Sequence, residues 1–184
     1  MLWASFCVGF FGFMRSGEFS VTGNTDRDSI IPLAVSDVSV DSRDDPRIIT
    51  IHLRRSKTDQ YARGEYLYLG RTYDSLCPVS AILAYLAVRP PSPGPLFIFK
   101  DGAPLSQRKF ISSLREALSQ AGINPIGYSG HSLRIGAATT AATLGMSDSL
   151  IKSLGRWKSS VFTTYIRNTQ HDLATASAHL SMYG

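Results

Sequence analysis

Tyr165 stands near the end of the stretch GRWKSSVFTTYIR, residues 155–167, with basic residues on both sides of it. Arg156 and Trp157 precede the tyrosine, and Arg167 follows it. A phenol in such cationic surroundings is compatible with three roles: packing in a core, forming part of a face that binds an anionic polymer, or attacking a phosphate. The stretch alone does not choose among these roles.

Three further segments contain residue types that can do chemistry: FMRSGEF with Arg15 and Glu18, LRRSKTDQ with Lys57, and GHSLRIGAAT with His131 and Arg134. Each has an ordinary structural explanation. Arg15 can pair with Glu18 one turn on, a lysine on a hairpin turn is commonly solvated, and a histidine and an arginine three residues apart can share a helix face. Trp157 and Tyr165 can likewise be core residues.

In this order and spacing, however, the residues resemble the catalytic domain of the tyrosine recombinase (phage integrase) family. Its motifs are an Arg-x-x-Glu after an apolar helix, a hairpin lysine, His-x-x-Arg, a His or Trp, and a nucleophilic tyrosine. The resemblance runs from about residue 2 to residue 168. RSKTDQ, GHSLRIGAAT and GRWKSSVFTTYIR are most similar to the Crypton-like branch of eukaryotic mobile elements and proteins descended from it.

The resemblance implies a site that cleaves and rejoins DNA through a 3′-phosphotyrosyl bond, without metal or nucleotide cofactor. Tyr165 would be the nucleophile, and Arg15 and Arg134 would clamp the phosphoryl oxygens through their planar donor forks. His131 would bind the phosphate or assist proton transfer, and Lys57 would be the general acid for the departing 5′ oxygen.

The resemblance also assigns supporting roles. Trp157, which can only donate through its indole N–H, would orient and buttress the phosphate, and Glu18 would orient Arg15. Better-known members place the His or Trp nine residues before the tyrosine, whereas Trp157 precedes Tyr165 by eight and Arg156 occupies the usual spacing. Trp157 is favoured because its residue type fits, and contact of Arg156 with the phosphate stays open.

Charge is distributed unevenly along the 184 residues, whose net charge is +5. Residues 1–99 contain ten Lys/Arg and ten Asp/Glu, whereas residues 100–170 contain nine Lys/Arg and three Asp/Glu. The later part therefore favours an anionic partner such as double-stranded DNA, although a solvated basic face explains the charge equally well. The residues expected to contact DNA are Arg54, Arg55, Arg108, Lys109, Lys158 and Arg167.

Hydropathy patterns predict an α+β fold that is mostly α, with one small antiparallel sheet. Strands are expected at 33–40, 47–54 and 65–69, because their apolar residues alternate and are β-branched or aromatic. An extended pair is expected around Asp101-Gly102. Helices are expected at 2–14, 77–88, 107–122 (with Ser106 as N-cap), 131–144, 148–154, 159–167 and 171–181.

The two cysteines, Cys7 and Cys77, show no spacing suited to zinc, so reduced, buried thiols in a reducing compartment are expected. The apolar opening, residues 1–14, is shorter than a membrane-spanning helix and lacks signal-peptide features, so a core helix is expected. We expect an intracellular protein, nuclear if the source is eukaryotic and otherwise cytoplasmic.

In domain terms, residues 1–170 correspond to the catalytic domain and residues 171–184 to a C-terminal tail helix. The N-terminal DNA-binding domain that recombinases carry has no counterpart in the sequence, so the chain is expected to be a catalytic half. By analogy the tail docks on a neighbouring subunit and assembles a homo-oligomer on DNA. Packing of the tail on its own domain is the alternative.

Two other functions stay open. The stretch ATTAATLGMSDSLIKSLGRWKSS is typical of a helix-turn-helix, with Gly145 at the turn, Ser147 as N-cap and 148–158 as recognition helix, so a non-catalytic DNA-binding module is possible. Type IB topoisomerases, which relax supercoiled DNA, share a similar catalytic set. The SKTDQ and GHSLR contexts favour a recombinase over a topoisomerase.

Overall fold

The computed structural model describes residues 1–23, 32–54, 64–168 and 170–179. Helices dominate, and the three strands form one antiparallel sheet, so the predicted fold class is confirmed. The elements are α1 (Leu2–Phe11), α2 (Ser16–Phe19), β1 (Val38–Val40), β2 (Ile48–Leu53), β3 (Glu65–Gly70), α3 (Pro78–Val88), α4 (Gln107–Gln120), α5 (Ser132–Thr143), α6 (Asp148–Gly155) and α7 (Gln170–His179), with 3-10 segments at Val35–Asp37 and Ser160–Tyr165.

The sheet has the order β1-β2-β3, with Ile51 of β2 opposite both Val38 of β1 and Leu67 of β3. Its alternating side chains bury Ile51 and Leu67 and leave Tyr66 and Tyr68 exposed, as the period of two predicts. β1 is shorter than the predicted strand 33–40. The carboxylate of Asp37 accepts the backbone N–H of Ala34 at 2.9 Å, which accompanies a 3-10 turn where the strand was expected.

The main core lies between the sheet and helices α1, α3 and α4. Phe19 and Phe110 meet edge to face there, with ring centroids 4.9 Å apart. Val8 on α1 and Ile82 on α3 are fully buried, which confirms the prediction that the apolar opening is a core helix. Within the described residues, no helix is long and apolar enough to cross a membrane.

Helix α1 ends at Phe11 rather than at residue 14. Gly12 caps the helix, and Phe13 then takes a left-handed conformation with φ of 49°, which ends the helical path. The chain re-enters a helix only at Ser16, so Arg15 lies on a connector between two helices. This sharp connector, residues 12–15, is called the α1–α2 connector below.

A second, smaller hydrophobic cluster joins α5, α6 and the 3-10 segment Ser160–Tyr165. The predicted turn between α5 and α6 is confirmed: Gly145 has a φ of 72°, and the Ser147 hydroxyl accepts the N–H of Leu150 at 3.4 Å. The α-helix predicted at 159–167 is wrong, because that segment is 3-10. Hydroxyls of Thr163 and Thr164 bond to carbonyls three residues back, and such local bonds compete with the α-helical pattern.

The remaining predictions are mostly confirmed. Helix α4 is capped by the Ser106 hydroxyl, which accepts the N–H of Lys109 at 3.1 Å. The extended pair around Asp101-Gly102 forms, with Ile98 bridged to Pro104. The tail helix α7 covers Gln170–His179, and residues 180–184 lie outside the described part of the chain. Both cysteines are free and buried, as predicted.

Candidate active site

Arg15 and Glu18 are joined across the start of α2. Arg15 is the N-cap residue of this short helix, and its backbone N–H donates to Oε2 of Glu18 at 2.8 Å. Its Nη1 donates to Oε1 of the same carboxylate at 3.2 Å. Glu18 is buried, whereas the Arg15 side chain keeps 18% of its surface exposed. The predicted pair therefore forms, and the Arg15 side chain stays partly exposed.

Arg156 reaches the same carboxylate from the far end of the chain. Its Nη2 donates to Oε2 of Glu18 at 3.1 Å, and its Nη1 donates to the carbonyl of Gly12 at 2.9 Å. Its Nε lies 3.6 Å from Oε2 of Glu65, at the start of β3. Arg156 caps α6 in a left-handed conformation, with φ of 57°. One buried guanidinium thus connects α6, the α1–α2 connector and the sheet.

Arg134 on α5 is the largest fully buried side chain. Its Nη1 donates to the carbonyl of Phe13 at 2.5 Å, and its Nη2 donates to the carbonyl of Gly155 at 2.6 Å. Its Nε has no partner among the described residues. In this conformation Arg134 supports the site from beneath and binds the two chain segments that carry Arg15 and Trp157. It does not present its donor fork to the outside.

Trp157 and Tyr165 lie over Arg134. The guanidinium carbon of Arg134 is 4.2 Å from the Trp157 ring centroid and 5.6 Å from that of Tyr165. The two rings are 5.2 Å apart. Gly155 makes this stack possible, since a Cβ at that position would overlap the indole ring. The stack is a cation–π arrangement in which positive charge lies next to the tyrosine.

The Trp157 indole nitrogen is buried and finds no acceptor among the described residues. A buried donor without a partner costs roughly 1–3 kcal/mol, so such groups in native structures call for an explanation. Trp157 itself is held by packing, with Phe13 meeting it edge to face at 6.2 Å and Phe162 on another side. These ring contacts fix the position of the indole nitrogen.

Tyr165 ends the 3-10 segment and is partly exposed. The hydroxyl of Thr139 on α5 donates to the Tyr165 carbonyl at 3.2 Å and accepts the N–H of Arg167 at 3.1 Å. These two bonds anchor the backbone at the tyrosine and just after it to α5. The phenol is thus attached to the helix that also carries Arg134.

His131 is the N-cap residue of α5 and is exposed. Its neighbour Gly130 lies against α2, where the carbonyl of Gly130 accepts the N–H of Ser16 at 3.0 Å. The Ser16 hydroxyl in turn accepts a hydrogen bond from the side chain of Gln107, at the start of α4. The starts of α2, α4 and α5 therefore meet at Ser16, directly beside Arg15.

The structure brings six of the candidate residues into one connected cluster, which we call the arginine cluster: Arg15, Glu18, Arg134, Arg156, Trp157 and Tyr165. His131 adjoins it through the backbone contact of Gly130 with Ser16. Lys57 and Arg55 lie outside the described residues.

The other candidate DNA contacts lie at the surface. Arg108, Lys109, Lys158 and Arg167 are exposed. Arg54 is half-exposed, and its Nε pairs with Oδ1 of Asp37 at 2.6 Å. Part of the Arg54 charge is therefore already compensated within the protein.

Charge in the arginine cluster is unbalanced. Arg15 and Arg156 form ion pairs with the carboxylates of Glu18 and Glu65, whereas Arg134 bonds only to backbone carbonyls in the described residues, so the three arginines carry one positive charge more than the two carboxylates balance. Burial, with the positive charges of Arg15 and Arg156, lowers the pKa of Arg134 to about 10, so this residue stays charged at neutral pH. Burial also lowers the pKa of Arg156. An excess of partly desolvated positive charge is a favourable surrounding for an anion.

A cavity of about 420 Å³ borders the cluster between α6 and the start of β3. Its lining is rich in hydrogen-bond donors and includes Glu65, Lys152, Arg156, Trp157 and Lys158. Glu65 and Lys152 were not singled out in the sequence. In the sequence, Glu65 is simply the first residue of a predicted strand. Its neighbours along the chain give no sign that it pairs with Arg156, which is 91 residues away.

Comparison with solved structures shows which fold this is. The XerH site-specific recombinase, in a post-cleavage complex with palindromic difH substrate, matches with a TM-score of 0.68 and 16% identity over 97% of this chain and 45% of that one. The XerA recombinase matches with a TM-score of 0.68 and 19% identity over 96% of this chain and 56% of that one. This is the fold of a tyrosine recombinase catalytic domain. The Tn1549 transposon integrase, in complex with circular intermediate DNA, matches with a TM-score of 0.51 and 14% identity over 96% of this chain and 56% of that one.

The tyrosine recombinase fold is established here by structure and not by sequence. No protein-family model matches the chain, and no curated protein matches it. The chain spans about half the length of the recombinases it matches. Identities below 20% show that the tyrosine recombinase fold is shared, and the chemistry must be argued from the residues themselves.

Proposed function

We propose that this chain is the catalytic domain of a DNA-cleaving and DNA-joining enzyme of the tyrosine recombinase type. The observation that carries the proposal is the stack of Arg134, Trp157 and Tyr165, with ring and guanidinium separations of 4.2 to 5.6 Å. A tyrosine held beside a buried guanidinium and an unused indole donor is suited to react with a phosphate.

In the proposed reaction the Tyr165 oxygen attacks phosphorus and the bond between phosphorus and the 5′ oxygen breaks. The tyrosine proton passes to a base, for which His131 is the candidate, and the 5′ oxygen takes a proton from an acid, for which Lys57 is the candidate. The products are a 3′-phosphotyrosyl bond and a free 5′ hydroxyl. Because one phosphodiester replaces another, the reverse step reseals the strand without a nucleotide cofactor.

Negative charge on the non-bridging oxygens would be stabilised mainly by Arg15 and Trp157. The Arg15 side chain is 18% exposed, and within the described residues its hydrogen bonds come from Nη1 and the backbone N–H. The Trp157 indole N–H has no protein acceptor in that same part of the chain. Preorganised donors of this kind typically contribute about 10²–10³ in rate each. Arg134, buried under the rings of Trp157 and Tyr165, would contribute its positive charge without contacting the phosphate.

Double-stranded DNA is the proposed partner, reached through the exposed basic residues. The solved structures with this fold include complexes of recombinases with DNA substrates, which supports the proposal. We further propose the Crypton-like, eukaryotic and therefore nuclear assignment, on the similarity of GRWKSSVFTTYIR. Assembly of a homo-oligomer through α7 is proposed as well, and the exposed Leu173 on that helix is compatible with it.

The proposal is tested with DNA duplexes that carry a bridging 5′-phosphorothiolate, pooled so that every phosphate position is represented. The thiolate leaves without a proton, so the covalent intermediate accumulates even where proton donation is slow. We expect a protein–DNA adduct that survives denaturation and whose modified peptide contains Tyr165. Tyr165→Phe removes only the phenolic oxygen, and we expect it to abolish the adduct.

Tyr73→Phe is the matched control, because Tyr73 is highly exposed and lies outside the arginine cluster. It should form the adduct at the wild-type rate. An adduct that persists in Tyr165→Phe, or that maps to another residue, would contradict the assignment of the nucleophile. Relaxation of supercoiled DNA by a monomer, without strand exchange between duplexes, would redirect the function to a type IB topoisomerase.

A non-catalytic DNA-binding module is the second candidate, and one observation favours it. Both Nη atoms of Arg134 are engaged with backbone carbonyls, and the side chain is fully buried. A pure binding module needs the helix-turn-helix of α5 and α6 but not the phenol. DNA binding at low salt without any adduct, and unchanged in Tyr165→Phe, would establish this candidate instead.

A further inference from the structure

Arg156 contacts three segments that surround the candidate site, and its side chain is 7% exposed. We infer that Arg156 is a positioning residue that holds Arg15 in its phosphate-facing position through Glu18. The inference rests on the proposed function, because it concerns the residue proposed to face the phosphate. The inference also chooses between Arg156 and Trp157 as the residue that contacts the phosphate. It assigns that contact to Trp157, and it has Arg156 act through Glu18 and Arg15.

The Glu18 carboxylate is the link between the two arginines. Its Oε1 accepts from Nη1 of Arg15 at 3.2 Å, and its Oε2 accepts both the Arg15 backbone N–H at 2.8 Å and Nη2 of Arg156 at 3.1 Å. Because Glu18 is fully buried, no water competes for these positions. The direction of the carboxylate, and with it the direction of Arg15, therefore depends on both arginines.

Arg156 also fixes the backbone that carries Arg15. Its Nη1 donates to the carbonyl of Gly12 at 2.9 Å, and its Nη2 approaches the carbonyl of Phe13 at 3.4 Å. These are consecutive carbonyls of the α1–α2 connector, whose N–H groups at Gly12, Phe13 and Met14 bond back to α1. Loss of Arg156 would free the Gly12 carbonyl and loosen the connector beside Arg15, although Arg134 would still join the Phe13 carbonyl to the end of α6.

Direct binding of a phosphate by Arg156 is disfavoured by the same contacts. Nη1 and Nη2 donate hydrogen bonds to protein oxygens, and Nε lies at an ion-pair distance of 3.6 Å from Oε2 of Glu65. The left-handed backbone conformation of Arg156 costs about 1 kcal/mol in a residue other than glycine. Such strain persists only where surrounding contacts hold the residue in place. The contacts of Arg156 with Glu18, Glu65 and the connector stabilise this strained conformation.

A double-mutant cycle in the rate of phosphotyrosyl adduct formation tests the inference. Arg156→Met and Arg15→Met should each slow adduct formation by about 10²-fold, in the range for a lost preorganised donor. The double variant should be no slower than Arg15→Met alone, because Arg156 acts only through Arg15. Multiplying effects, roughly 10⁴-fold in the double variant, would show an independent role at the phosphate and overturn the inference.

Two further variants keep the inference testable if Arg156→Met fails to fold. Arg156→Lys keeps the charge and can reach Glu18 but cannot also bond the carbonyls, so we expect a smaller loss of about tenfold and the same non-additivity with Arg15→Met. Arg43→Met removes an exposed arginine in the β1–β2 connection and should leave the rate unchanged. Additivity between Arg156→Lys and Arg15→Met would overturn the inference even if Arg156→Met does not fold.

A measurement without chemistry separates failure of the inference from failure of the proposed function. In protein labelled with ¹⁵N-arginine, the Nε–H signal of Arg15, assigned by its loss in Arg15→Met, reports how rigidly that side chain is held. We expect Arg156→Lys to shift and sharpen this signal toward that of a freely rotating side chain, and Arg43→Met to leave it unchanged. An unaltered Arg15 signal would contradict positioning, whether or not the wild type forms an adduct.

Discussion

At the scale of single residues, the site is defined by donors that the protein itself does not use. The Trp157 indole nitrogen is buried without an acceptor among the described residues, and the Arg15 side chain stays 18% exposed beside its bonds to Glu18. By contrast, the nitrogens of Arg156 are all engaged within the protein. The difference between used and unused donors separates residues suited to meet a phosphate from residues that hold them.

Trp157→Phe tests the unused indole donor. Phenylalanine keeps an aromatic ring over Arg134 but removes the N–H, so the small cavity it leaves is offset by removal of an unsatisfied donor. We expect the free energy of unfolding to change by less than about 1 kcal/mol and adduct formation to slow by about 10²-fold. Urea unfolding and the phosphorothiolate assay measure the two effects.

Trp3→Phe is the matched control, because Trp3 is half-exposed and lies on α1, outside the arginine cluster. It should leave the rate of adduct formation unchanged. An unchanged rate in Trp157→Phe together with a large loss of stability would show that Trp157 is only a core residue.

At the scale of elements, the first turn of α4 carries positive charge, which the helix macrodipole disfavours at that end. Arg108 and Lys109 are exposed in its first turn, where the helix macrodipole is positive and disfavours cations by about 0.3–1 kcal/mol each. Gln107 beside them is bonded to Ser16, next to Arg15. Basic residues that cost stability and lie close to the proposed site are compatible with the proposed DNA partner.

Replacing Arg108 and Lys109 together by glutamine tests this surface. The unfavourable interaction with the helix dipole disappears, so we expect the free energy of unfolding to stay level or to rise by up to about 1 kcal/mol. DNA affinity should fall, and the slope of log K against log salt concentration should decrease by roughly two, one for each lost phosphate contact. Fluorescence anisotropy at several salt concentrations measures the slope. An unchanged slope would show that this surface does not contact DNA.

At the scale of the whole molecule, two hydrophobic clusters meet at the α1–α2 connector. The main core organises the sheet with α1, α3 and α4, and the smaller cluster organises α5, α6 and the 3-10 segment that bears Tyr165. Phe13 belongs to the second cluster although its neighbour Met14 belongs to the first. The connector is thus clamped between two cores, which explains how a segment without regular structure can hold Arg15.

The two buried cysteines make the stability of the whole fold depend on pH. Burial opposes ionisation of Cys77, but hydrogen bonds from Ser80 and Thr72 outweigh it and lower its pKa to about 7, below its ordinary value of 9.0. A depressed pKa in the folded state adds stability above the unfolded value, and this is lost as the pH falls through the folded value. Burial raises the pKa of Cys7 to about 11, so Cys7 affects stability only above pH 9.

We therefore expect the reduced protein to lose stability on the order of 2 kcal/mol between pH 9 and pH 6, from Cys77. Cys77→Ser should lack this part of the loss, and Cys7→Ala should keep it. Urea unfolding at both pH values under reducing conditions gives the comparison. Equal losses in the wild type and in Cys77→Ser would contradict the prediction, because the loss would then come from other titrating groups.

Local sequence patterns determined most of the elements and the types of the candidate residues. The alternation in β2 and β3, the Ser106 and Ser147 caps and the Gly145 turn all depend on a few neighbouring residues, so they can be predicted without knowledge of the fold. The order and spacing of the arginines, Trp157 and Tyr165 are likewise properties of the chain alone. The predictions failed where short-range hydrogen bonds changed the backbone, as at Ser160–Tyr165 and at Asp37.

Only the tertiary structure decided how those residues are used. Arg134 is buried beneath Trp157, and Arg156 forms ion pairs with Glu18 and Glu65. Both arrangements depend on contacts between segments up to 138 residues apart. Backbone carbonyls accept many of these hydrogen bonds, and every residue has a carbonyl, so no residue type marks the acceptor in advance. The physical reason is that sequence patterns record local periodicity, whereas the partner of a buried charge is chosen by packing.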